Sequence, residues 1–315
     1  MEILIGLCAM QRKIRSKPMQ KILTEIKKNG NFKFIEFEED LIKNKPIEEW
    51  PVCHGIIAFF SEGFPIEKVN DYIKKTGAWS PNDMSFQRTI MSRDQIYDIL
   101  KPIGVRTPKH LVLDTKKNSD KIIETEDYFE FEGTKFEKPF VEKPLDAEDH
   151  HVHIYLPTSQ GGGSIKLFRK REVSKDRVSE TSTDSKIRRT GVFVYEEFID
   201  SKTGCDIKIY AVGKNYAYSE VRNSPFRAQK IELDEYGREI RDKFELTEEE
   251  RMFASKIVEH LHQNVCGFDV LRDANGKSFV IDINGWSFVK SEIGEEYFAN
   301  CGKELATLFK ENCKV

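Results

Sequence analysis

Long apolar runs and paired cysteines are both missing from this 315-residue sequence. No stretch of 18 apolar residues occurs, so no membrane-spanning helix is predicted. The opening MEILIGL lacks the length and the basic lead of a signal peptide and has the character of a first strand. The six cysteines are scattered with no C-x-x-C pair, which favours reduced, packed thiols over disulfides or a zinc site. We therefore expect a cytoplasmic protein that does not bind membranes.

An excess of one charge sign is also missing. The chain has 50 Lys and Arg against 53 Asp and Glu, although charged residues make up 33% of it. No strongly basic domain and no known nucleic-acid-binding module is found, so nucleic acid is not expected as a partner. A small polyanion can still bind to a local cluster of cations. We expect a monomer that acts on a small molecule.

Side-chain sets for covalent or base catalysis are the third feature that is lacking. No Ser/His/Asp or Cys/His arrangement can be assembled, and no Gly-Lys-Ser/Thr ending completes a P-loop. A missing base is informative if the acceptor is a phosphate group, because a phosphate with a second pKa of about 6 is already an anionic nucleophile. Such a reaction needs positioning, metal ions and charge neutralisation.

The first ninety residues alternate between strands and amphipathic helices. Apolar runs at 3–7, 32–37 and 55–60 are typical of buried strands, and the stretch after Pro18 has the apolar spacing of a helix. This alternation predicts an open α/β layer with a mainly parallel sheet. Such sheets bind ligands at the carboxyl ends of their strands. There the predicted loop 11–17 carries four basic residues.

Two strand-like segments near the end of the sequence carry opposed acids. Asn275 and Gly276 join them, and this dipeptide is a strong signal for a two-residue hairpin. In such a hairpin Asp269 lies directly across from Asp282, and Asn284 follows on the same face. The alternative is a hairpin with a bulge that separates the two acids.

Opposed carboxylates on an otherwise apolar ribbon repel each other by about 3 kcal/mol, at roughly 5 Å and an effective dielectric of about 20. A divalent cation between them removes that cost. Two carboxylates and an amide oxygen are hard ligands that suit Mg²⁺, which completes its shell with nucleotide phosphates. The hairpin therefore predicts a magnesium site.

Cations near the ends of predicted strands form a second group of candidates. Lys143 ends an apolar run, where it either points into a cleft toward a phosphate or is a solvated surface lysine. Glycines 161–163 occupy a loop tip, where backbone amides can approach an anion or simply form a flexible turn. The other cations are Arg12, Lys13, Arg169, Lys170, Lys208, Arg222, Arg241 and Lys290. Each alone is typical of a surface charge, but together they are enough to surround a multiply phosphorylated ligand.

Two further segments have polar residues in strand-like surroundings. His151 and His153 would share a strand face, but no third soft ligand is nearby, so a phosphate contact is favoured over a metal site. The apolar strand at 192–199 turns polar at Glu196 and Glu197. Whether backbone groups of this strand recognise adenine stays undecided from the sequence.

Taken in order, these motifs resemble those of ATP-grasp enzymes, and more closely the kinase domain of the diphosphoinositol pentakisphosphate kinase family. The matching segments are SKPM (16–19), KPFVEKP (138–144), AEDH (147–150), PTS (157–159), GGGS (161–164), LFRK (167–170), YEEF (195–198), VCGFD (265–269), DING (282–285) and SFVK (287–290). The resemblance covers essentially the whole chain. It implies an α/β plus α+β fold, in which an N-terminal open α/β domain (1–90) precedes an ATP-grasp domain (91–315) whose two subdomains clamp ATP between antiparallel sheets.

The resemblance also implies ATP and Mg²⁺ as cofactors, an inositol polyphosphate as substrate, and roles for individual residues. The implied ATP contacts are Arg93, Lys143, His150, Arg169, Glu196, Glu197, Phe198, Ile199, Asp206, Lys208, Ser224, Asp269 and Asp282. The implied inositol phosphate contacts are Arg12, Lys13, Arg169, Lys170, Lys208, Arg222, Arg241, Ser287 and Lys290. The implied metal ligands are Asp269, Asp282 and Asn284, and the residues implied to act in catalysis are Lys143, His150, Arg169, Lys208 and Arg241.

The sequence departs from the family pattern at a few positions. The usual pair of lysines in the first loop is Arg12 and Lys13 here, which keeps the charge but alters the geometry. The turn at 273–277 is one residue longer, and Trp286 replaces a more usual Phe. The R-H-G-x-R-x-P signature of the phosphatase-like domain in larger members is missing.

The implied reaction is transfer of the γ-phosphoryl group of ATP to a phosphate of inositol hexakisphosphate or its 5-diphosphate derivative, at the 1-position. Three alternatives remain at this point. They are a kinase of inositol hydroxyls, an ATP-grasp ligase, and a non-catalytic inositol phosphate receptor.

Overall fold

The computed structural model describes residues 2–167, 179–201, 204–223, 226, 240–289 and 294–314. The α-helices in these ranges are α1 (Gln11–Ile14), α2 (Lys17–Lys28), α3 (Glu39–Asn44), α4 (Ile66–Thr76), α5 (Gln87–Ile90), α6 (Arg93–Leu100), α7 (Glu248–Leu261) and α8 (Glu295–Asn312). The strands are β1 (Ile3–Cys8), β2 (Phe32–Glu36), β3 (Gly55–Ala58), β4 (His110–Asp114), β5 (Ile123–Glu124), β6 (Tyr128–Phe131), β7 (Thr134–Glu137), β8 (Phe140–Pro144), β9 (His153–Tyr155), β10 (Ser164–Lys166), β11 (Glu180–Ser182), β12 (Val192–Glu197), β13 (Cys205–Val212), β14 (Tyr216–Asn223), β15 (Asp242–Lys243), β16 (Val265–Arg272) and β17 (Ser278–Asn284).

The N-terminal layer is a parallel sheet in the order β2-β1-β3, as the alternation of strands and helices predicts. Helix α2 buries one apolar face made of Met19, Ile22, Leu23 and Ile26. This face has the helical spacing that the sequence shows after Pro18. The predicted α/β layer is therefore confirmed.

The predicted loop at 11–17 is wrong in part, because its first half is the short helix α1. The apolar side chain of Ile14 lies in the core at 1% exposure. A helical turn brings it there, with the Arg15 N–H donating to the Gln11 carbonyl at 2.9 Å. Arg12 remains exposed and Lys13 is half-buried.

Two larger antiparallel sheets follow. The first has the strand order β11-β10-β9-β8-β12-β4, and the small sheet β5-β6-β7 packs on it through Phe129, which contacts Phe140 and Tyr195. The second has the order β15-β14-β13-β16-β17. Helix α7 begins with the predicted capping box of Thr247 and Glu250 and covers the second sheet with its apolar stripe.

The last helix returns to the N-terminal layer. Helices α2 and α8 approach closely at Gly302, where an added Cβ would lie 2.2 Å from the Cβ of Glu25. Only glycine fits there. Residues of β1, α2 and α8 share one apolar cluster with Tyr210 and Val212 of β13. The division of the chain at residue 90 stays a prediction.

The cysteines are free thiols, and all except the half-buried Cys205 are buried. Burial raises the pKa of Cys266 and of Cys301 to about 12, so both are unreactive as thiols at neutral pH. Among the described helices, none is long and apolar enough to span a bilayer.

Candidate active site

The acidic hairpin forms between β16 and β17, and Asp269 pairs with Asp282 as the sequence predicts. The turn is different from the predicted two-residue loop. The Asp273 N–H donates to the Lys277 carbonyl at 2.9 Å, so three residues lie between this pair. One of them, Gly276, has φ +80°, a left-handed conformation that favours glycine.

A β-bulge at Ile281 restores the register that the longer turn shifts. The strand pairing skips this residue, which has no partner on β16. The bulge lets both Val280 and Ile283 enter the core below the sheet, while Asp282 stays with Asp269 on the other face. The alternative in which a bulge separates the two acids is therefore wrong, because here a bulge brings them together.

Asp269 lies in a cationic environment. Its Oδ2 accepts from Lys208 Nζ at 2.8 Å and from Asn284 Nδ2 at 3.4 Å. Burial raises the pKa of this carboxyl, but the nearby charges of Lys208 and Arg222 lower it by more, so the pKa lies below its usual range. The carboxylate is therefore ionised at neutral pH.

Asp282 faces the guanidinium of Arg93, which is 5% exposed at the start of α6. Arg93 Nε lies 3.7 Å from Asp282 Oδ1 and, among the described residues, makes no hydrogen bond. Its Nη1 donates to the carbonyls of Pro144 and Asp146 at 2.6 and 2.7 Å. Arg93 thus ties the loop after β8 to the acidic hairpin.

Lys143 is buried rather than solvated, with 9% of its side chain exposed. Its Nζ lies 2.8 Å from Glu196 Oε2 and donates to the carbonyl of Ile281 at 2.8 Å. That carbonyl belongs to the bulge residue, which has no partner on β16. The hydroxyl of Tyr97 reaches the same two acceptors, bonding to Glu196 Oε1 and lying 3.2 Å from the Ile281 carbonyl.

Tyr97 keeps its proton at any physiological pH. Burial and the carboxylate of Glu196 raise the pKa of its hydroxyl well above the usual range. It is therefore a permanent hydrogen-bond donor at the junction of α6, β12 and β17.

Two further cations of the described residues, Arg222 and Arg241, lie beside acids. Asp206, Lys208 and Tyr210 alternate on one face of β13, as predicted. Arg222 Nε lies 3.5 Å from Asp206 Oδ2, its cross-strand neighbour. Arg241 Nη1 lies 3.6 Å from Glu220 Oε2 and donates to the Tyr210 hydroxyl at 3.1 Å. These contacts orient the two guanidinium groups.

In the segment predicted to bind adenine, the side chains of 196–198 contact other residues of the protein. The carboxylate of Glu196 lies beneath Lys143, and Glu197 exchanges backbone and side-chain hydrogen bonds with Lys109 at 2.9 and 2.8 Å. The ring of Phe198 packs on Phe226, and Ile199 is buried at 8% exposure. Nucleotide contacts at this segment stay a prediction.

The histidines do not form the shared strand face that the sequence suggested. His150 is exposed, His151 Nδ1 lies 2.8 Å from Asp149, and β9 starts only at His153. Over the described part of the chain, no group of three or more His, Cys, Asp or Glu is placed to hold a metal ion. A phosphate contact of His150 stays a prediction.

His153 predicts a pH effect on stability. Its burial, with the charges of Arg188 and Lys166, lowers its pKa from 6.5 to about 4. An unfolded histidine titrates at about 6.5, so protonation favours the unfolded chain and stability is lost as the pH falls from that value toward 4. We expect the Tm of His153→Gln to decline less than that of the parent chain between pH 7 and pH 4. Parallel declines would show that His153 does not titrate in this way.

Four predicted ligand contacts, Arg169, Lys170, Ser224 and Lys290, lie outside the described residues. Ser287 packs over Gly267 beside the acidic hairpin, where a Cβ on that glycine would lie 2.7 Å from the serine Cβ. Arg12 and Lys13 are on α1 at the carboxyl end of β1. Their contacts with an inositol phosphate stay predictions.

The donor set of the hairpin fits a magnesium ion. Asp269 and Asp282 are directly opposed carboxylates, and the amide of Asn284 donates its N–H to Asp269, which leaves its oxygen for a cation. These are hard oxygen ligands, with no thiolate or imidazole among them. The role of these residues as metal ligands stays a prediction.

Three groups that contact the candidate site residues were not predicted from the sequence: the Tyr97 hydroxyl, the Ile281 carbonyl and the Glu220 carboxylate. Tyr97 has the spacing of an ordinary core aromatic on α6, and the bulge that exposes Ile281 has no sequence motif. Glu220 is 1% exposed and therefore needs a cationic partner, but this burial is visible only in the structure.

Comparisons with known proteins agree with the whole-chain resemblance. Residues 3–92 match the diphosphoinositol pentakisphosphate kinase 2 N-terminal domain, and residues 153–305 match the RimK-like ATP-grasp domain. The chain is 43% identical over 310 residues to the inositol hexakisphosphate and diphosphoinositol-pentakisphosphate kinase 2 of Homo sapiens, covering 98% of this chain and 24% of that protein. For the Caenorhabditis elegans inositol hexakisphosphate and diphosphoinositol-pentakisphosphate kinase, identity is also 43% over 310 residues, covering 96% and 23%. The chain spans about a quarter of the length of these relatives.

Solved structures confirm the fold. The ATP-grasp ligase PsnB complexed with minimal precursor superposes with a TM-score of 0.59 at 11% identity, covering 100% of both chains. The predicted ATP-grasp architecture, with its preceding α/β layer, is therefore correct. The sequence matches show that this chain belongs to the inositol hexakisphosphate and diphosphoinositol-pentakisphosphate kinase family, whose N-terminal and ATP-grasp regions it contains.

Proposed function

We propose that this chain is a kinase that uses Mg-ATP to phosphorylate a phosphate group of an inositol polyphosphate. The substrate is inositol hexakisphosphate or 5-diphosphoinositol pentakisphosphate, and the product carries a 1-diphosphate. The printed names of the relatives support the activity and the substrate class. The observation that carries the proposal is the opposed pair Asp269 and Asp282, beside a face of oriented cations.

The chemistry suits a site without a general base. A phosphate oxygen of the acceptor attacks the γ-phosphorus of ATP and forms one new P–O bond to it. The bond from the γ-phosphorus to the β–γ bridging oxygen breaks, and ADP leaves with that electron pair. The acceptor oxygen is already anionic, so no proton must be removed from it. What the protein must supply is alignment and compensation of the negative charge of the two reactants.

Each part of the site has a task in this reaction. The ammonium of Lys143 has three N–H groups, of which Glu196 and the Ile281 carbonyl take two and one is left for a nucleotide phosphate. Lys208 lies between the acidic hairpin and the cations of β14, where it can neutralise the transferred group. The described residues proposed to bind the inositol phosphates are Arg12, Lys13, Lys208, Arg222, Arg241 and Ser287.

Asp269, Asp282 and Asn284 would hold Mg²⁺, which would neutralise charge on the ATP phosphates and orient them. The solved ATP-grasp neighbours include PsnB with Mg and ADP, which supports a magnesium nucleotide in this fold. We include a cytoplasmic location, a monomeric state and the domain division at residue 90 in the proposal.

An ATP-grasp ligase is the second candidate, because PsnB is a ligase of the same fold. A ligase acceptor such as an amine carries far less negative charge than an inositol polyphosphate, so a ligase site does not need this number of cations. The cationic residues on α1, β13 and β14 therefore favour the kinase. A receptor without catalysis does not need opposed carboxylates beside a nucleotide site.

Lys13→Met is expected to separate these candidates. Loss of a charge-assisted phosphate contact costs about 1.5–3 kcal/mol, so kcat/KM for inositol hexakisphosphate should fall by about 10- to 100-fold while KM for ATP stays within twofold. The matched control is Lys43→Met, which removes an exposed cation paired with Glu39 on α3. A ligase would respond to both variants alike, and equal kinetics in both would contradict the assigned role of Lys13.

The direct test is to incubate the chain with ATP, Mg²⁺ and inositol hexakisphosphate and to resolve the products by ion-exchange chromatography and ³¹P NMR. We expect ADP and a diphosphate-containing inositol in equal amounts. ADP release that requires an amine and a carboxylate, without any inositol diphosphate, would favour the ligase.

A further inference from the structure

We propose that Tyr97 is a positioning residue, whose hydroxyl holds the metal-binding hairpin and the phosphate-binding lysine in one geometry. This proposal rests on the function proposed above, which assigns metal binding to the hairpin and phosphate binding to Lys143. It is carried by the contacts of the hydroxyl with Glu196 and with the carbonyl of the bulge residue Ile281.

Helix α6 reaches the acidic hairpin with two side chains one turn apart. Arg93 and Tyr97 are four residues apart and therefore lie on the same helix face. Arg93 Nε lies 3.7 Å from the carboxylate of Asp282, and the Tyr97 hydroxyl lies 3.2 Å from the carbonyl of the residue before it. The helix thus holds both the side chain of one proposed metal ligand and the backbone that carries it.

The same hydroxyl shares both acceptors of Lys143. Glu196 and the Ile281 carbonyl each contact Lys143 Nζ at 2.8 Å and the Tyr97 hydroxyl as well. Without the hydroxyl, these buried acceptors depend on Lys143 alone, because buried acceptors keep a donor wherever one is within reach. Lys143 is then held more firmly away from a nucleotide phosphate, and the bulge loses a fixed contact.

The location of these contacts argues for more than core stability. Ile281 is the residue that has no partner on β16, and its carbonyl accepts from Lys143 and from Tyr97. The position of Asp282 relative to Asp269 depends on that bulge. A donor fixed in α6 therefore sets the spacing of the two carboxylates from outside the sheet.

The test is the Mg²⁺ dependence of ADP binding in Tyr97→Phe, measured by calorimetry over a series of Mg²⁺ concentrations. Residues that orient metal ligands typically change metal affinity by 10- to 100-fold, so we expect half-saturation at about tenfold more Mg²⁺ than in the parent chain. ADP binding in metal-free buffer should weaken by a smaller factor, because it senses only the firmer hold on Lys143. We also expect kcat for the inositol substrate to fall by about tenfold, with KM for that substrate unchanged.

The matched control is Tyr195→Phe. Like Tyr97, Tyr195 is buried, but it lies in the first antiparallel sheet. Its hydroxyl donates to the buried carboxylate of Glu142 at 2.7 Å and not to the acceptors of Lys143. This variant should lose thermal stability yet keep the Mg²⁺ dependence of the parent chain. If Tyr97→Phe also loses only thermal stability, with half-saturation by Mg²⁺ unchanged, the positioning role is overturned.

The two proposals fail in different ways. A parent chain that binds ADP with Mg²⁺ but forms no inositol diphosphate would refute the proposed function. The Mg²⁺ titration would still decide the role of Tyr97, because it needs no acceptor.

Discussion

Asp282→Asn is expected to lower the rate of phosphoryl transfer by about 10²- to 10³-fold, the usual cost of losing one preorganised electrostatic contact in a transition state. Asp282 is one of the two opposed carboxylates. Without it, the carboxylate that remains in the pair is Asp269, which already accepts a hydrogen bond from Lys208. The asparagine keeps the size and one oxygen of the side chain but loses the charge that attracts a divalent cation. Initial rates at saturating ATP, Mg²⁺ and inositol hexakisphosphate give the comparison.

Asp273→Asn is the matched control for this change, since it makes the same substitution in the turn of the same hairpin. Asp273 Oδ1 accepts the N–H groups of Asn275 and Lys277 at 2.8 Å, and an asparagine oxygen can do the same. We expect its rate to stay within twofold of the parent chain. Comparable losses in both variants would mean that the hairpin matters only through its fold.

Lys143→Met is expected to destabilise the fold by about 3–5 kcal/mol, because it leaves the carboxylate of Glu196 buried without its cation. The side chain of Glu196 is 2% exposed, and the Tyr97 hydroxyl is the neutral donor that remains beside it. Urea denaturation at pH 7 measures the free energy of unfolding. A loss below about 1 kcal/mol would show that water or another cation replaces Lys143.

A second substitution separates stability from catalysis at this lysine. Glu196→Gln in the Lys143→Met background removes the uncompensated charge, so most of the lost stability should return. Phosphoryl transfer should not return, since the cation proposed to contact the nucleotide phosphate is still missing. Lys135→Met, which removes an exposed lysine paired with Glu137, should leave the denaturation midpoint unchanged.

The acidic hairpin shows how far local sequence rules reach. The Asn275 and Gly276 signal correctly predicted a hairpin and the pairing of Asp269 with Asp282. The pairing was right although the turn is one residue longer than predicted, because the bulge at Ile281 compensates for it. That bulge depends on which side chains of β17 reach the core, and no short motif encodes it.

Contacts between segments that are distant in the sequence could not be predicted from it. Tyr97 and Ile281 are 184 residues apart, and Lys143 reaches the same carbonyl across 138 residues. Lys143 could not be told from a solvated lysine until its burial against Glu196 was known. By contrast, the apolar face of α2 and the capping box of α7 follow from residues within a few positions of each other, and both were predicted correctly.

The most direct test of the account is a crystal structure with a non-hydrolysable ATP analogue, Mg²⁺ and inositol hexakisphosphate. We predict a magnesium ion about 2.1 Å from oxygens of Asp269, Asp282 and Asn284, with the inositol phosphates against Arg222 and Arg241. A nucleotide bound elsewhere, with both carboxylates turned away from any metal ion, would contradict the account.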